Sequence, residues 1–274
     1  MKKFKVGVLG CGNMGSAIVH GLAQSNRIAA LYLCDSRREH VEALARQESL
    51  CSMEMAGSLK AFPEDLDVLL LVVKPKDVET VLRDLSLSLG RDTLVASCAA
   101  GLPLARLAEP LPQGQPLARV MPNTAARFQK SVTTAVISPH CAQKKDILEA
   151  VLAGFGEVLF LPGEEEMHVA TALAGSGPAF FLYLLEEMAN MGQRLGLSAE
   201  HARQLAHGGL QGASILAEEQ TVSLETLRVQ ITSPGGTTQA GLEKMAAKEM
   251  DLAIHETVVA AVERSKAMAT EKTS

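Results

Sequence analysis

Phe4-Lys5-Val6-Gly7-Val8-Leu9-Gly10-Cys11-Gly12-Asn13-Met14-Gly15 decides the fold of this chain. The apolar run Phe4–Leu9 reads as a strand, G-x-G-x-x-G follows it directly, and a helical pattern over Met14–Ala23 opens inside the motif. Gly10 permits a tight turn, Gly12 lets the backbone approach a pyrophosphate, and Gly15 lets helix and strand pack closely. A second strand, Ala30–Cys34, ends at Asp35, the acidic residue expected about 20 positions after the motif. The pattern predicts a dinucleotide site on Gly10, Gly12, Asn13, Met14 and Gly15. Asp35 offers an acceptor to a ribose 2′-hydroxyl, which favours NAD, whereas Ser36, Arg37 and Arg38 offer a seat for the 2′-phosphate of NADP. These readings compete, because an ionised Asp35 repels that phosphate. The arginines tip the expectation to NADPH, with NADH left open.

Working outward, Val68–Val73, Thr93–Cys98, Leu117–Met121, Val132–Ile137 and Val158–Leu161 read as further strands. Helical patterns at Arg38–Gln47, Val78–Leu89 and Leu104–Leu111 lie between several of them. Such alternation predicts an α/β fold with a largely parallel, doubly wound, Rossmann-like sheet. Ligands bind beyond the carboxyl ends of such strands, which adds Val73, Lys74, Pro75, Ala99, Ala100, Gly101 and Asn123 to the cofactor-binding set. After Pro162-Gly163 only helical patterns remain, with Ser198 and Ser223 placed as N-caps. The expected division is 1–163, an NAD(P)-binding domain, and 164–274, an all-α domain. The tail Thr270–Ser274 is expected to fray.

Composition narrows the partners. The 274 residues carry a net charge of −5, 3% aromatics and no Trp, which argues against nucleic acid as a partner. No uninterrupted apolar run is expected to span a bilayer, and Met1-Lys2-Lys3-Phe4-Lys5 enters a strand rather than a signal peptide. Five cysteines (Cys11, Cys34, Cys51, Cys98, Cys141) without Cys-x-x-Cys read as reduced thiols in a cytoplasm. His140-Cys141 reads as surface, and the histidines form no metal-binding pattern.

Ser233-Pro234-Gly235-Gly236-Thr237-Thr238 packs no core and feeds a helical segment from Ala240. One reading is a glycine turn with a threonine cap. The other is a cradle for a carboxylate or phosphate, made from unpaired amides and the helix dipole.

Taken in order, Gly10–Gly15, Val73-Lys74-Pro75, Ala99-Ala100-Gly101, Arg119-Val120-Met121-Pro122-Asn123-Thr124, Ala174-Gly175-Ser176-Gly177-Pro178-Ala179 and Ser233–Thr238 resemble the pyrroline-5-carboxylate reductases. The resemblance covers nearly the whole chain, and its last two motifs together are highly specific. It implies hydride transfer from NAD(P)H to the C=N carbon of 1-pyrroline-5-carboxylate, giving proline in the last step of proline biosynthesis. It also implies a helical C-terminal dimerisation domain, interleaved between subunits of a homodimer or larger homo-oligomer. Ser233, Gly235, Gly236 and Thr237 would surround the substrate carboxylate, the Thr238 hydroxyl would reach the ring nitrogen, and Ser176 would lie near the cleft. The chain departs from the family at Ala125, where a proline is usual, at Val229, where an aspartate is usual, and at Glu219–Ser223, which lacks the usual His-Pro. Two alternatives stand beside this reading: a related imine or ketone reductase of the same plan, and a non-catalytic dinucleotide sensor.

Overall fold

Side chains buried on both faces of a strand leave no room for polar alternation, and Val68-Leu69-Leu70-Leu71 is such a strand, with every side chain inaccessible. Burying each of these side chains contributes about 1.5–3 kcal/mol. A computed structural model describes residues 2–47, 52–55, 58–59, 62–219 and 221–270. Cys51 and positions 271–274 of the expected frayed tail lie outside them.

The first elements are β1 (Phe4–Leu9), α1 (Asn13–Ala23), β2 (Ile28–Cys34), α2 (Arg38–Gln47), β3 (Ser52–Met55) and β4 (Val68–Leu71). They are followed by α3 (Pro75–Leu85), β5 (Leu94–Ser97), α4 (Leu104–Ala108), β6 (Leu117–Met121), β7 (Ser131–Ile137), α5 (Lys145–Leu152) and β8 (Gly156–Phe160). The strands form one sheet in the order β3-β2-β1-β4-β5-β6-β7-β8, parallel except where β6 meets β7. Leu9 pairs with both Cys34 and Leu71, Leu71 pairs with Ser97, and Ser97 with Arg119. That register brings the carboxyl ends of five strands into one row. The strand order reverses between β1 and β4, the crevice where open α/β sheets bind ligands. Of the strands, β3 escaped the sequence reading: it is short, and it ends the sheet beside β2.

The turn after β1 is fixed by contact. Gly10 has φ +98°, and a Cβ there would lie 2.4 Å from the Val72 carbonyl oxygen. A Cβ on Gly15 would lie 1.8 Å from the Gly10 carbonyl oxygen. Both positions exclude any side chain for steric reasons that no rotamer relieves.

The helical part comprises α6 (Glu166–Ala170), α7 (Gly177–Arg194), α8 (Ala199–Glu219), α9 (Leu224–Gln230), α10 (Thr237–Ala247) and α11 (Met250–Thr270). Ser198 and Ser223 do cap α8 and α9: their hydroxyls accept the amides of His201 at 3.2 Å and Thr226 at 3.1 Å. The chain forms two compact units, the described residues up to Ser176 with those from Ala261 on, and Gly177–Ala260. The change from mixed to helical structure near residue 163 and the change of unit at 176/177 are therefore separate boundaries.

Two sequence expectations are corrected. The stretch Glu166–Arg194 is one helix, long and apolar enough to cross a bilayer by length and composition. A π-helical turn at Thr171–Ser176 carries the chain through Gly175-Ser176 into Gly177-Pro178 at the start of α7. Pro178 has no amide to give to the Ala174 carbonyl four residues back, and that carbonyl accepts the Asn123 side-chain amide at 2.9 Å instead. Cys141, expected at the surface, is 1% exposed, and its thiol donates to the Ser138 and Leu117 carbonyls. The short helical turn Pro139–Lys144 points it inward.

Gly15→Ala should lower stability by about 3 kcal/mol in urea denaturation, because the loop must move to admit the methyl group.

Candidate active site

The sequence-predicted dinucleotide residues gather along the row of strand ends in the first unit. A Cβ at Gly12 would meet nothing within 4 Å, so this glycine, unlike its two neighbours in the motif, opens onto free space. Gly12 is also the N-cap of α1, with no side-chain cap and no acidic residue in the first turn. The helix therefore presents unpaired amides and the positive end of its dipole, the arrangement a pyrophosphate requires. Asn13, Met14 and Gly15 form that first turn. The residues present fit a dinucleotide.

Asp35 follows β2 and holds the loop from the far side. Its Oδ2 accepts the Cys11 amide at 2.6 Å and its Oδ1 accepts the Arg37 amide at 2.8 Å. Burial pushes this carboxyl up, but the two amides and the neighbouring His40 outweigh burial and hold it below the ordinary carboxylate range. The carboxylate is thus charged and already committed to backbone. Ser36, Arg37 and Arg38 are exposed beside it. Arg38 is tied to Glu42 at 2.8 Å, which leaves Arg37 as the guanidinium without a side-chain partner among the described residues.

Farther along the row, Lys74 is exposed and serves as N-cap of α3, with Pro75 opening that helix. Val73 packs against the apolar cluster around β4 and β5. Ala99 is buried and Ala100 half-buried. Gly101 has φ +78°, and a Cβ there would lie 2.8 Å from Cβ of Met268, so its glycine identity is set by α11 lying against it. Asn123 caps the turn Thr124–Phe128 by accepting the Ala125 amide at 3.0 Å. Its amide nitrogen also donates to the Ala174 carbonyl at 2.9 Å, tying the end of β6 to the π turn that ends in half-buried Ser176.

Sequence reasoning passed over a buried polar group in the same unit. Arg119, 4% exposed on β6, pairs with Glu164 at 2.6 Å, and the same Glu164 oxygen accepts the Leu104 amide at 2.9 Å. Beside it, His168 meets Ser265 at 2.9 Å across 97 residues of sequence. Burial first, then the Arg119 cation, pushes the His168 imidazole below its ordinary value. A charged residue inside the apolar run Leu117–Met121 was the available signal.

In the second unit, Ser233–Thr238 is a turn closed by the Gly236 amide donating to the Ser233 carbonyl at 3.0 Å. Gly235 supplies the positive φ, +70°, that the third position of such a turn after proline requires. The cap of α10 is Gly236 and not a threonine, because its extended φ/ψ ends the turn one residue earlier than expected. Thr237 and Thr238 are thereby inside the first turn and exposed. No side chain caps this helix, and its first turn holds no acidic residue. Gln239 reaches back to the Gly235 amide at 2.7 Å and braces the turn. The amides of Thr237 and Thr238, in the first turn of the helix, and the two threonine hydroxyls face an anion that binds at this end.

The second unit buries little of its own apolar surface: Ala202 and Ala206 are its buried hydrophobic side chains among the described residues. Phe181, Leu182, Tyr183 and Met188 on α7 are all more than half exposed. Apolar surface on this scale marks an association site.

Residues 164–268 match the family model described as pyrroline-5-carboxylate reductase dimerisation, and residues 5–101 match the one described as NADP oxidoreductase coenzyme F420-dependent. Pyrroline-5-carboxylate reductase 1 of Bacillus spizizenii is 34% identical, over 96% of this chain and 88% of that relative. Pyrroline-5-carboxylate reductase of Pseudomonas aeruginosa is 32% identical over 97% of each. Among solved structures, a pyrroline-5-carboxylate reductase from Coxiella burnetii superposes with a TM-score of 0.89 at 25% identity, over 98% of this chain and 100% of that one. The pyrroline carboxylate reductase of Plasmodium falciparum, with NADP bound, gives 0.85 at 25% identity over the same shares. With its anion-receiving loop, its turn before α10 and relatives matched along nearly its full length, the chain belongs to the pyrroline-5-carboxylate reductase family.

Proposed function

We propose that this chain reduces 1-pyrroline-5-carboxylate to L-proline with NADPH. The observation that carries the reading is identity of 34% to a pyrroline-5-carboxylate reductase across 96% of the chain. NADPH, when bound, supplies the hydride that adds to the C=N carbon. The substrate nitrogen arrives protonated as an iminium and leaves as the secondary amine, so no strong general acid is required of the protein.

What the side chains do follows from their chemistry. Gly10, Gly12, Asn13, Met14 and Gly15 hold the pyrophosphate on the amides of α1, and Ser36 and Arg37 take the 2′-phosphate. Val73, Lys74, Pro75, Ala99, Ala100, Gly101 and Asn123 line the nicotinamide side. The unpaired amides in the first turn of α10 receive the substrate carboxylate, with Ser233, Gly235, Gly236 and Thr237 around it. Thr238 orients the ring nitrogen through its hydroxyl, and Ser176 contributes a further polar contact. Catalysis then rests on orientation and on stabilising charge, which a turn braced by Gln239 supplies at no reorganisation. The division into a cofactor-binding part, 1–163, and a substrate-binding and dimerisation part, 164–274, follows the same reading.

The chain forms homo-oligomers through its dimerisation domain, and a homodimer is the smallest assembly the reading requires. The exposed face of α7 is then a subunit contact and not a bilayer contact. The net charge of −5 supports a small-molecule substrate over nucleic acid, and the free thiols of Cys11, Cys34, Cys98 and Cys141 support a cytoplasmic setting.

NADPH oxidation by the purified protein should depend on added pyrroline-5-carboxylate and yield proline; folded protein that binds NADPH yet leaves this substrate unreduced would overturn the activity. Thr238→Ala should lower kcat/KM roughly 10- to 100-fold, the loss of one hydrogen bond to a charged group. Arg37→Ala should raise the KM for NADPH about tenfold and leave that for NADH within about twofold.

A further inference from the structure

Ala99, Ala100 and Gly101 lie in the loop between Ser97, which ends β5, and Leu104, which opens α4. The sheet holds one end of this loop: the Cys98 amide donates to the Leu71 carbonyl at 2.9 Å. At the other end Pro103 is the N-cap of α4 and offers no side-chain cap. The acceptor comes from elsewhere in the chain, as Oε1 of Glu164 takes the Leu104 amide at 2.9 Å. The same oxygen takes Nη1 of Arg119 on β6 at 2.6 Å. Asn123, just past that strand, in turn donates to the Ala174 carbonyl in the π turn. Glu164 itself lies just ahead of α6, which runs into that turn. One carboxylate thus joins the loop after β5, the end of β6 and the segment leading to Ser176.

Two forces act on these segments, and they differ in kind. Met121, Val136 and Met167, with Ala100, Leu104 and Leu161 against them, form an apolar cluster that brings the segments together. Hydrophobic contact is non-directional and fixes no register. The bonds through Glu164 are directional, and each has a charged partner. Arg119 is 4% exposed, and desolvating such a guanidinium is costly enough that an apolar pair often holds a fold as well. An apolar pair could not accept the Leu104 amide.

We propose that Glu164, through its bonds to Arg119 and the Leu104 amide, is a positioning residue for the nicotinamide ring. It acts through its neighbours: it sets where Ala99, Ala100, Gly101 and Asn123 stand around the ring, and so the path along which hydride passes. The pyrophosphate end, held on the turn after β1, is left unaffected. The inference rests on the reading of those four residues as the nicotinamide side and is independent of which imine is reduced.

The test compares the wild-type protein with Glu164→Gln, which keeps an acceptor for the Leu104 amide but gives up the charge. A double variant, Arg119→Met with Glu164→Gln, also removes the guanidinium that the single change leaves uncompensated, and it carries the test if Glu164→Gln does not fold by circular dichroism. Titration calorimetry without substrate measures NADPH and ADP-ribose 2′-phosphate, the same cofactor lacking its nicotinamide ring. The Kd of the fragment should stay within about twofold of the wild-type value, while that of NADPH rises about fivefold as the ring loses its seat. In turnover, kcat should fall roughly 10- to 100-fold, the cost of a ring misplaced by on the order of an ångström. Wild-type kcat in the double variant, or equal losses for NADPH and the fragment, overturns the proposal. Failure of both variants to fold assigns the pair to stability and overturns it equally. A wild-type protein that binds both ligands yet leaves pyrroline-5-carboxylate unreduced counts against the substrate alone, and the binding comparison then decides.

Discussion

One half-buried carboxylate organises the cofactor half. Asp35 reaches from the end of β2 and takes the amide of Cys11, inside the glycine turn, and that of Arg37, at the head of α2. Without it, two backbone donors would lose their acceptor, and the glycine turn would be left with the bond of the Gly10 amide to the Cys34 carbonyl, at 2.8 Å, as its backbone tie to the second strand. The loop can stay open around Gly12 because it is braced elsewhere. Gly10 and Gly15 are locked against neighbouring carbonyls, and Asp35 pins the residue between Gly10 and Gly12. Rigidity and openness are divided among adjacent residues, which is how a backbone can offer amides to a ligand without collapsing onto itself.

Much of this was legible in sequence because it is written in local chemistry. Strands buried on both faces show as unbroken apolar runs, and the glycine spacing encodes contacts within a single turn. The family motifs add what local chemistry leaves out. The illegible parts share a cause. β3 is too short and too polar to stand out. The π turn at Thr171–Ser176 passes through the residues that most strongly signal a break. His168 and Ser265 meet only in the folded chain, and the cap of α10 depends on where the preceding turn ends. Sequence also presented Asp35 as a ligand acceptor, whereas its backbone partners are visible only in three dimensions.

The two units differ in what holds them together. The first has a layered core on both faces of its sheet. The second is a set of helices whose apolar side chains face outward, with small alanines as its buried residues. Such a unit gains its stability from association, so in this family oligomerisation belongs to folding as much as to function. The turn Ser233–Thr238 sits in that second unit, largely exposed in the chain.

Gly101 and Met268 stand far apart in sequence yet constrain each other. With a Cβ at 101 approaching the Met268 backbone within 2.9 Å, the end of α11 and the absence of a side chain after β5 form one joint condition. Evolutionary drift at position 101 is thereby closed for as long as the last helix keeps its length and pitch. A lineage that shortened that helix would remove the clash, yet the φ of +78° would still hold this position after β5 to glycine.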